Sequence, residues 1–314
     1  MNDGARPEKG LDRPADPSRR ALLKGVGLAA GAAGLSSVLP LGATRALASE
    51  EELAKKHAED PGLLIDVSKC VGCGSCAAAC KLKNKLESRE DQPFIGPKAK
   101  LASSNYTVLR QVKVGSAANP KTRFVKDQCL HCMEPACAAA CFAKALTKTP
   151  GGPVRYDASM CVGCRYCMLA CPFHIPTYEW ERVVLPRVSK CNLCEDRVTK
   201  GEPTACASAC SYGAITFGKR AELLKEAHSR IAKVPAVYHP HVYGETEAGG
   251  GSVFYLADAS FEQLGFRDNA PDKPIPAIAE TLSRPVPYVA VGGLALLSGI
   301  YALRKRRGTE EGED

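Results

Sequence analysis

The chain has 314 residues, 45% of them apolar and 6% aromatic, with 28 Gly and 22 Pro, which allows about two loop-rich domains with a buried core. The formal charge is +8; residues 1–48 carry +3 of it and residues 304–314 none, so the body carries +5. No nucleic-acid motif accompanies that charge, and no P-loop, Rossmann fingerprint or Ser/His/Asp set appears, so nucleic-acid binding and the common nucleotide-dependent and hydrolytic activities are excluded.

Residues 1–48 read as an export signal. Ser18-Arg19-Arg20-Ala21-Leu22-Leu23-Lys24 is close to the twin-arginine pattern, with Leu22 in the place usually held by Phe. A weakly apolar Gly/Ala-rich run from 25 to 41 follows, and Ala46-Leu47-Ala48 is a small-residue cleavage site.

Residues 49–218 contain all sixteen cysteines, in four groups of four with none left over. Gly62-Leu63-Leu64-Ile65-Asp66 predicts a short strand ahead of the first group. That group is Cys70, Cys73, Cys76 and Cys80, spaced C-x2-C-x2-C-x3-C. Gly72 and Gly74 let the backbone pass close to whatever the thiols hold, and the run 77–79 of alanines predicts a tightly packing helix. Residues 81–128 form an insertion with a strand predicted over 106–112. The second group, Cys129, Cys132, Cys137 and Cys141, has its middle spacing widened to four residues around Pro135. The third group, Cys161, Cys164, Cys167 and Cys171, repeats the spacing of the first and ends in Pro172. Both the first and third open with Cys-Val-Gly-Cys, which points to an internal duplication. The fourth is Cys191 and Cys194, then Cys206 and Cys210 after eleven residues, closed by a Gly213 turn into a strand. His131 and His174 read as local hydrogen-bonding residues.

The run C-x2-C-x2-C-x3-C-P holds 4Fe–4S cubes in bacterial ferredoxins: three thiolates take three corners of one cube and the fourth ligates another. Sixteen thiols then account for four cubes. A disulfide framework has no use for three cysteines in seven residues, and paired zinc ribbons do not need a third and fourth thiol. Lys and Arg offset the anionic sites that four thiolates make.

Residues 219–233 predict an amphipathic packing helix with Leu223, Leu224, Ala227 and Ile231 on one face. Residues 234–284, rich in Pro and Gly, predict an extended arm with a strand over 253–256. Residues 285–303 carry no charge and are long enough for a bilayer at ~1.5 Å per residue. Arg304-Lys305-Arg306-Arg307 follow at once. This predicts a transmembrane helix at 285–303 with 304–314 as a cytoplasmic tail, and so a ferredoxin body on the outer side.

The four groups, over residues 62–218, resemble the electron-transfer subunits of molybdopterin oxidoreductases and membrane-bound hydrogenases. The resemblance implies an α+β fold of duplicated bacterial ferredoxin-like dicluster units, four 4Fe–4S clusters, and no catalytic residues. It also implies nested ligation. Cluster 1 takes Cys70, Cys73, Cys76 and Cys210; cluster 2 takes Cys80, Cys191, Cys194 and Cys206. Cluster 3 takes Cys129, Cys132, Cys137 and Cys171; cluster 4 takes Cys141, Cys161, Cys164 and Cys167. Ala138, Phe142 and Ser211 stand where some members carry other residues. A chain with both a signal and a C-terminal apolar run is most similar to the ferredoxin subunit of a periplasm-facing hydrogenase of the hydrogenase-2 kind. The expected partners are a catalytic oxidoreductase subunit, of hydrogenase or molybdopterin type, and an integral membrane quinone-reactive subunit. A formate dehydrogenase wire is the alternative, and a zinc-binding assembly protein the alternative of a different class.

Overall fold

The computed structural model describes residues 50–116, 119–182, 186–267, 269–283 and 286–310. The export signal expected at 1–48 lies outside the described residues.

The core is built on a three-stranded sheet. β1 (Pro61–Asp66) runs through its middle, with β9 (Ile215–Lys219) antiparallel on one side and β10 (Val253–Leu256) parallel on the other. Leu63, Leu64 and Ile65 are buried on both faces, as a central strand flanked by two partners requires. One face packs on the cluster that includes Val67, Leu109, Val125 and Leu130. The other packs on α7 (Arg220–Lys233), through Leu223 and Ala227 against Leu64, Phe254 and Leu256. The amphipathic helix is thus the packing helix its periodicity predicts.

Residues 234–284 differ from an extended arm. All four residues of β10 are buried, and Tyr243, Tyr255, Phe261 and Phe266 stack on one another with ring centroids 4.7–6.3 Å apart. The reason is aromatic content: these rings carry much of the chain's large apolar area, and burial wins over the local Pro/Gly bias.

A second sheet carries the insertion. β2 (Ile95–Gly96) lies beside β3 (Val108–Val114), which forms a hairpin with β4 (Lys121–Asp127). Two small hairpins complete the strands, β5 (Leu146–Lys148) with β6 (Val154–Tyr156), and β7 (Thr177–Tyr178) with β8 (Val188–Ser189).

Most of the helices beside the cysteines are short. α1 (Glu50–Lys56) leads in, and α2 (Ser75–Asn84) carries Cys76 and Cys80. α3 (Ala136–Ala139), α4 (Tyr166–Ala170), α5 (Glu195–Val198) and α6 (Ala205–Ser208) are single turns beside the other cysteines. α2 packs on α6 and α3 packs on α4, so the first cysteine group meets the fourth and the second meets the third.

α8 (Ile275–Ser283) leads to α9 (Val286–Glu310), and here the structure corrects an expectation. A helix does form over the uncharged run, but it continues past Leu303 to Glu310, because no proline follows Pro287 to stop it at the basic residues. Its uncharged section is diluted by Gly292, Gly293, Ser298 and Gly299. Among the described residues no helix is long and apolar enough to cross a membrane, so the transmembrane helix expected at 285–303 is not found.

Candidate iron–sulfur centres

Four cysteine loops share one backbone conformation. In the first C-x2-C of each group the residue just before the second cysteine is left-handed: Gly72 (φ 76°), His131 (φ 49°), Gly163 (φ 72°) and Leu193 (φ 53°). Three residues after Cys141, Cys171 and Cys210 the chain is again left-handed, at Lys144, His174 and Gly213. Glycine adopts this region freely, and a Cβ makes it costly by roughly 1–2 kcal/mol. His131 and Leu193 are nevertheless held there, both fully buried. The turn aims backbone N–H groups at sulfur. His131 N lies 3.4 Å from Cys129 Sγ, and Leu193 N lies 3.4 Å from Cys191 Sγ. Ala205 N and Asn84 Nδ2 add donors 3.5 Å from Cys194 Sγ and Cys80 Sγ. Donors turned toward sulfur suit a ligand that gathers negative charge there.

None of the sixteen cysteines is paired in a disulfide. One cavity is lined by Cys70, Cys73, Cys76 and Cys210 together with Ile65, Leu109 and Lys126. A second is lined by Cys80, Cys191, Cys194 and Cys206 together with Thr107, Lys126 and Gln128. The remaining eight thiols fall into two sets whose members raise one another's affinity for protons. Cys132 is raised well above its usual range by burial and then by Cys129, Cys171 and Cys137. Cys167 is pushed up to about 11 by burial and then by Cys161, Cys141 and Cys164. The four gatherings overlap at their edges: Cys76 feels Cys206, Cys191 feels Cys129, and Cys137 feels Cys167.

Burial also pushes the thiols of Cys76, Cys80 and Cys137 up to about 12. A thiolate there needs a nearby positive centre to stay charged, which iron supplies. Among the described residues no three His, Cys, Asp or Glu side chains converge as they would on a single ion. Thiolates on a cube bind different corners and have no need to converge so.

Two buried polar groups fit an anionic sulfur-rich neighbour. The amide Nε2 of Gln128, beside the second cavity, and Nε2 of His131, two residues from Cys129, have no hydrogen-bond partner among the described residues. His131 does make the local bond expected of it, since its Nδ1 accepts from Val154 N at 3.0 Å. Burial, then Lys190 and Lys148, hold that ring well below the usual histidine range, so it is neutral. His174 is exposed.

Lys126 is the residue that sequence reasoning missed. It is 2% exposed and lines both cavities. Burial opposes its charge, but Cys206, Cys76, Cys191 and Cys80 outweigh burial and hold it above the usual lysine range. Nothing in the sequence singles it out, because the segment around it reads as polar.

Two family profiles match this region: the 4Fe-4S dicluster domain over residues 120–220 and the 4Fe-4S binding domain over residues 63–81. They define the protein as a 4Fe–4S ferredoxin-type chain. A protein of Nitratidesulfovibrio vulgaris is 37% identical over 281 residues, covering 88% of this chain and 75% of that one. The formate dehydrogenase iron-sulfur subunit of Haemophilus influenzae is 32% identical, covering 87% and 89%. The hydrogenase-2 operon protein HybA of Escherichia coli O157:H7 is 30% identical, covering 81% and 86%. The chain belongs to the family of ferredoxin-type iron–sulfur electron-transfer subunits that includes HybA and the formate dehydrogenase iron–sulfur subunits.

Proposed function

We propose that the chain relays single electrons through four 4Fe–4S cubes, between a periplasmic catalytic subunit and an integral membrane quinone-reactive subunit. The catalytic subunit is a nickel–iron hydrogenase. The chain holds no catalytic residues of its own. Each cube supplies a one-electron carrier when bound.

The ligands follow the gatherings of thiols. Cys70, Cys73, Cys76 and Cys210 hold one cube, and Cys80, Cys191, Cys194 and Cys206 a second. Cys129, Cys132, Cys137 and Cys171 hold the third, and Cys141, Cys161, Cys164 and Cys167 the fourth. The observation that carries the reading is the pair of neighbouring cavities, each lined by four of these cysteines and both by Lys126. Cys73 and Cys164 are exposed, and electrons enter and leave at the sites that they serve. The residues between exclude water and set potentials by burial and by hydrogen bonds to sulfur.

The body works on the periplasmic side of the cytoplasmic membrane, after export in folded form by the twin-arginine route. Cubes are then inserted in the reducing cytoplasm, before sixteen thiols meet an oxidising compartment. Val289, Leu294, Leu296 and Leu297 of α9 are exposed, and this apolar surface meets the membrane subunit.

Service to a formate dehydrogenase is the second reading, favoured by the 32% identity to such a subunit over 87% of the chain. Isolation of the complex in mild detergent decides between them. A nickel–iron large subunit supports the first reading and a molybdopterin subunit the second. A colourless, zinc-loaded chain without partners overturns both.

A further inference from the structure

The ammonium of Lys126 donates to Thr107 Oγ1 at 2.8 Å and to Gln128 Oε1. Both partners are neutral. Largely buried Lys148 pairs with Asp60 at 3.6 Å, whereas buried Lys81 and Lys190, like Lys126, donate to neutral groups; what sets Lys126 apart is that it lines both cysteine cavities. Among the described residues no carboxylate pairs with Lys126; the neighbouring Asp127 is taken by Arg110 at 2.9 Å. A buried cation without an anion is costly, and the groups on either side of this one are two sets of four cysteines.

The strand fixes that position. Lys126 stands opposite Leu109 in the β3–β4 ladder, and Tyr255 Oη donates to its carbonyl at 2.7 Å. Its side chain is therefore anchored at both ends, between the cavities and out of reach of solvent.

We propose that Lys126 sets the reduction potentials of the first two cubes as a pair, raising both through one shared charge. This rests on the four-cube reading. Adding an electron makes a cube more negative by one unit, so a fixed cation nearby favours the reduced form. The charge is common to both cavities, so its removal lowers both potentials together.

The test is a redox titration of the anaerobically purified full-length protein, followed by electron paramagnetic resonance, with iron counted in every sample. Wild type is compared with Lys126→Gln and Lys126→Arg. In K126Q, two midpoints fall, with the reduced-to-oxidised ratio at fixed potential dropping about tenfold, or ~59 mV for a one-electron couple. The other two midpoints stay, and K126R stays near wild type. Loss of two cubes in K126Q but not in K126R also supports the shared charge, as the group that holds the anions. Unchanged midpoints in K126Q at wild-type iron overturn the proposal. Equal losses in K126Q and K126R also overturn it, because they assign Lys126 to packing. Wild-type protein without iron overturns the four-cube reading itself.

Discussion

Tyr255 donates its hydroxyl to the backbone carbonyl of Lys126 at 2.7 Å, joining the last strand of the central sheet to the hairpin that passes between two cysteine cavities. Both residues are almost wholly buried. Tyr255→Phe leaves that carbonyl without its partner in a dry site. The expected loss is about 1–3 kcal/mol of stability, read from denaturant unfolding of the iron-loaded protein.

Cys206 lines the second cavity with Cys80, Cys191 and Cys194. Cys206→Ala removes one ligand of one cube. Iron is expected to fall from about sixteen atoms per chain to about twelve, with one paramagnetic signal lost and three kept. Iron analysis and dithionite-reduced spectra check this; loss of all four signals counts against independent sites.

Gly72 combines a left-handed backbone with a crowded neighbour. A Cβ there would come 2.6 Å from the ring of Phe124, at φ 76°. Gly72→Ala therefore suffers both backbone strain, about 1–2 kcal/mol, and a clash with the β4 side chain. The expected result is a lower midpoint of unfolding and weaker loading of the first cube. Leu193 shows that a side chain is tolerated at the same turn position where the surroundings are built for it.

The cysteine groups, the short strand before them and the strand at 253–256 are all legible in the sequence, because ligand spacing and β-branched or aromatic alternation are local signals. The strand predicted over 106–112 is found two residues later, at 108–114. Its partner β4 is not legible: Lys121, Arg123, Lys126 and Asp127 make that segment read as polar, and only pairing with β3 decides its conformation. Lys126 is hidden for the same reason, as one of 42 Lys and Arg residues. The placement of β10 beside β1 is a long-range pairing that no window of sequence contains.

His241 gives a pH-dependent contact. Its Nε2 lies 2.7 Å from Glu247 Oε1, and the other carboxylate oxygen of Glu247 accepts from Gly244 N at 2.7 Å. The bond to Glu247 holds His241 above the usual histidine range, against a smaller effect of burial. A raised folded value means stabilisation that is complete below the unfolded value, near 6.5, and lost as pH rises through the folded one. His241→Gln is expected to cost more at pH 5.5 than at pH 9, by less than about 1 kcal/mol because the ring is partly exposed. Urea unfolding at the two pH values measures it.

The parallel pairing of β1 with β10 also governs when the molecule can mature. The first cysteine loop leaves the ribosome early, yet the strand that completes the sheet beneath it emerges only after residue 256. A truncated nascent chain therefore presents an unsupported first loop, and metallocentre assembly at that end waits for a nearly finished polypeptide. Prematurely terminated products are left unmetallated and open to proteases, a built-in checkpoint on which molecules go forward.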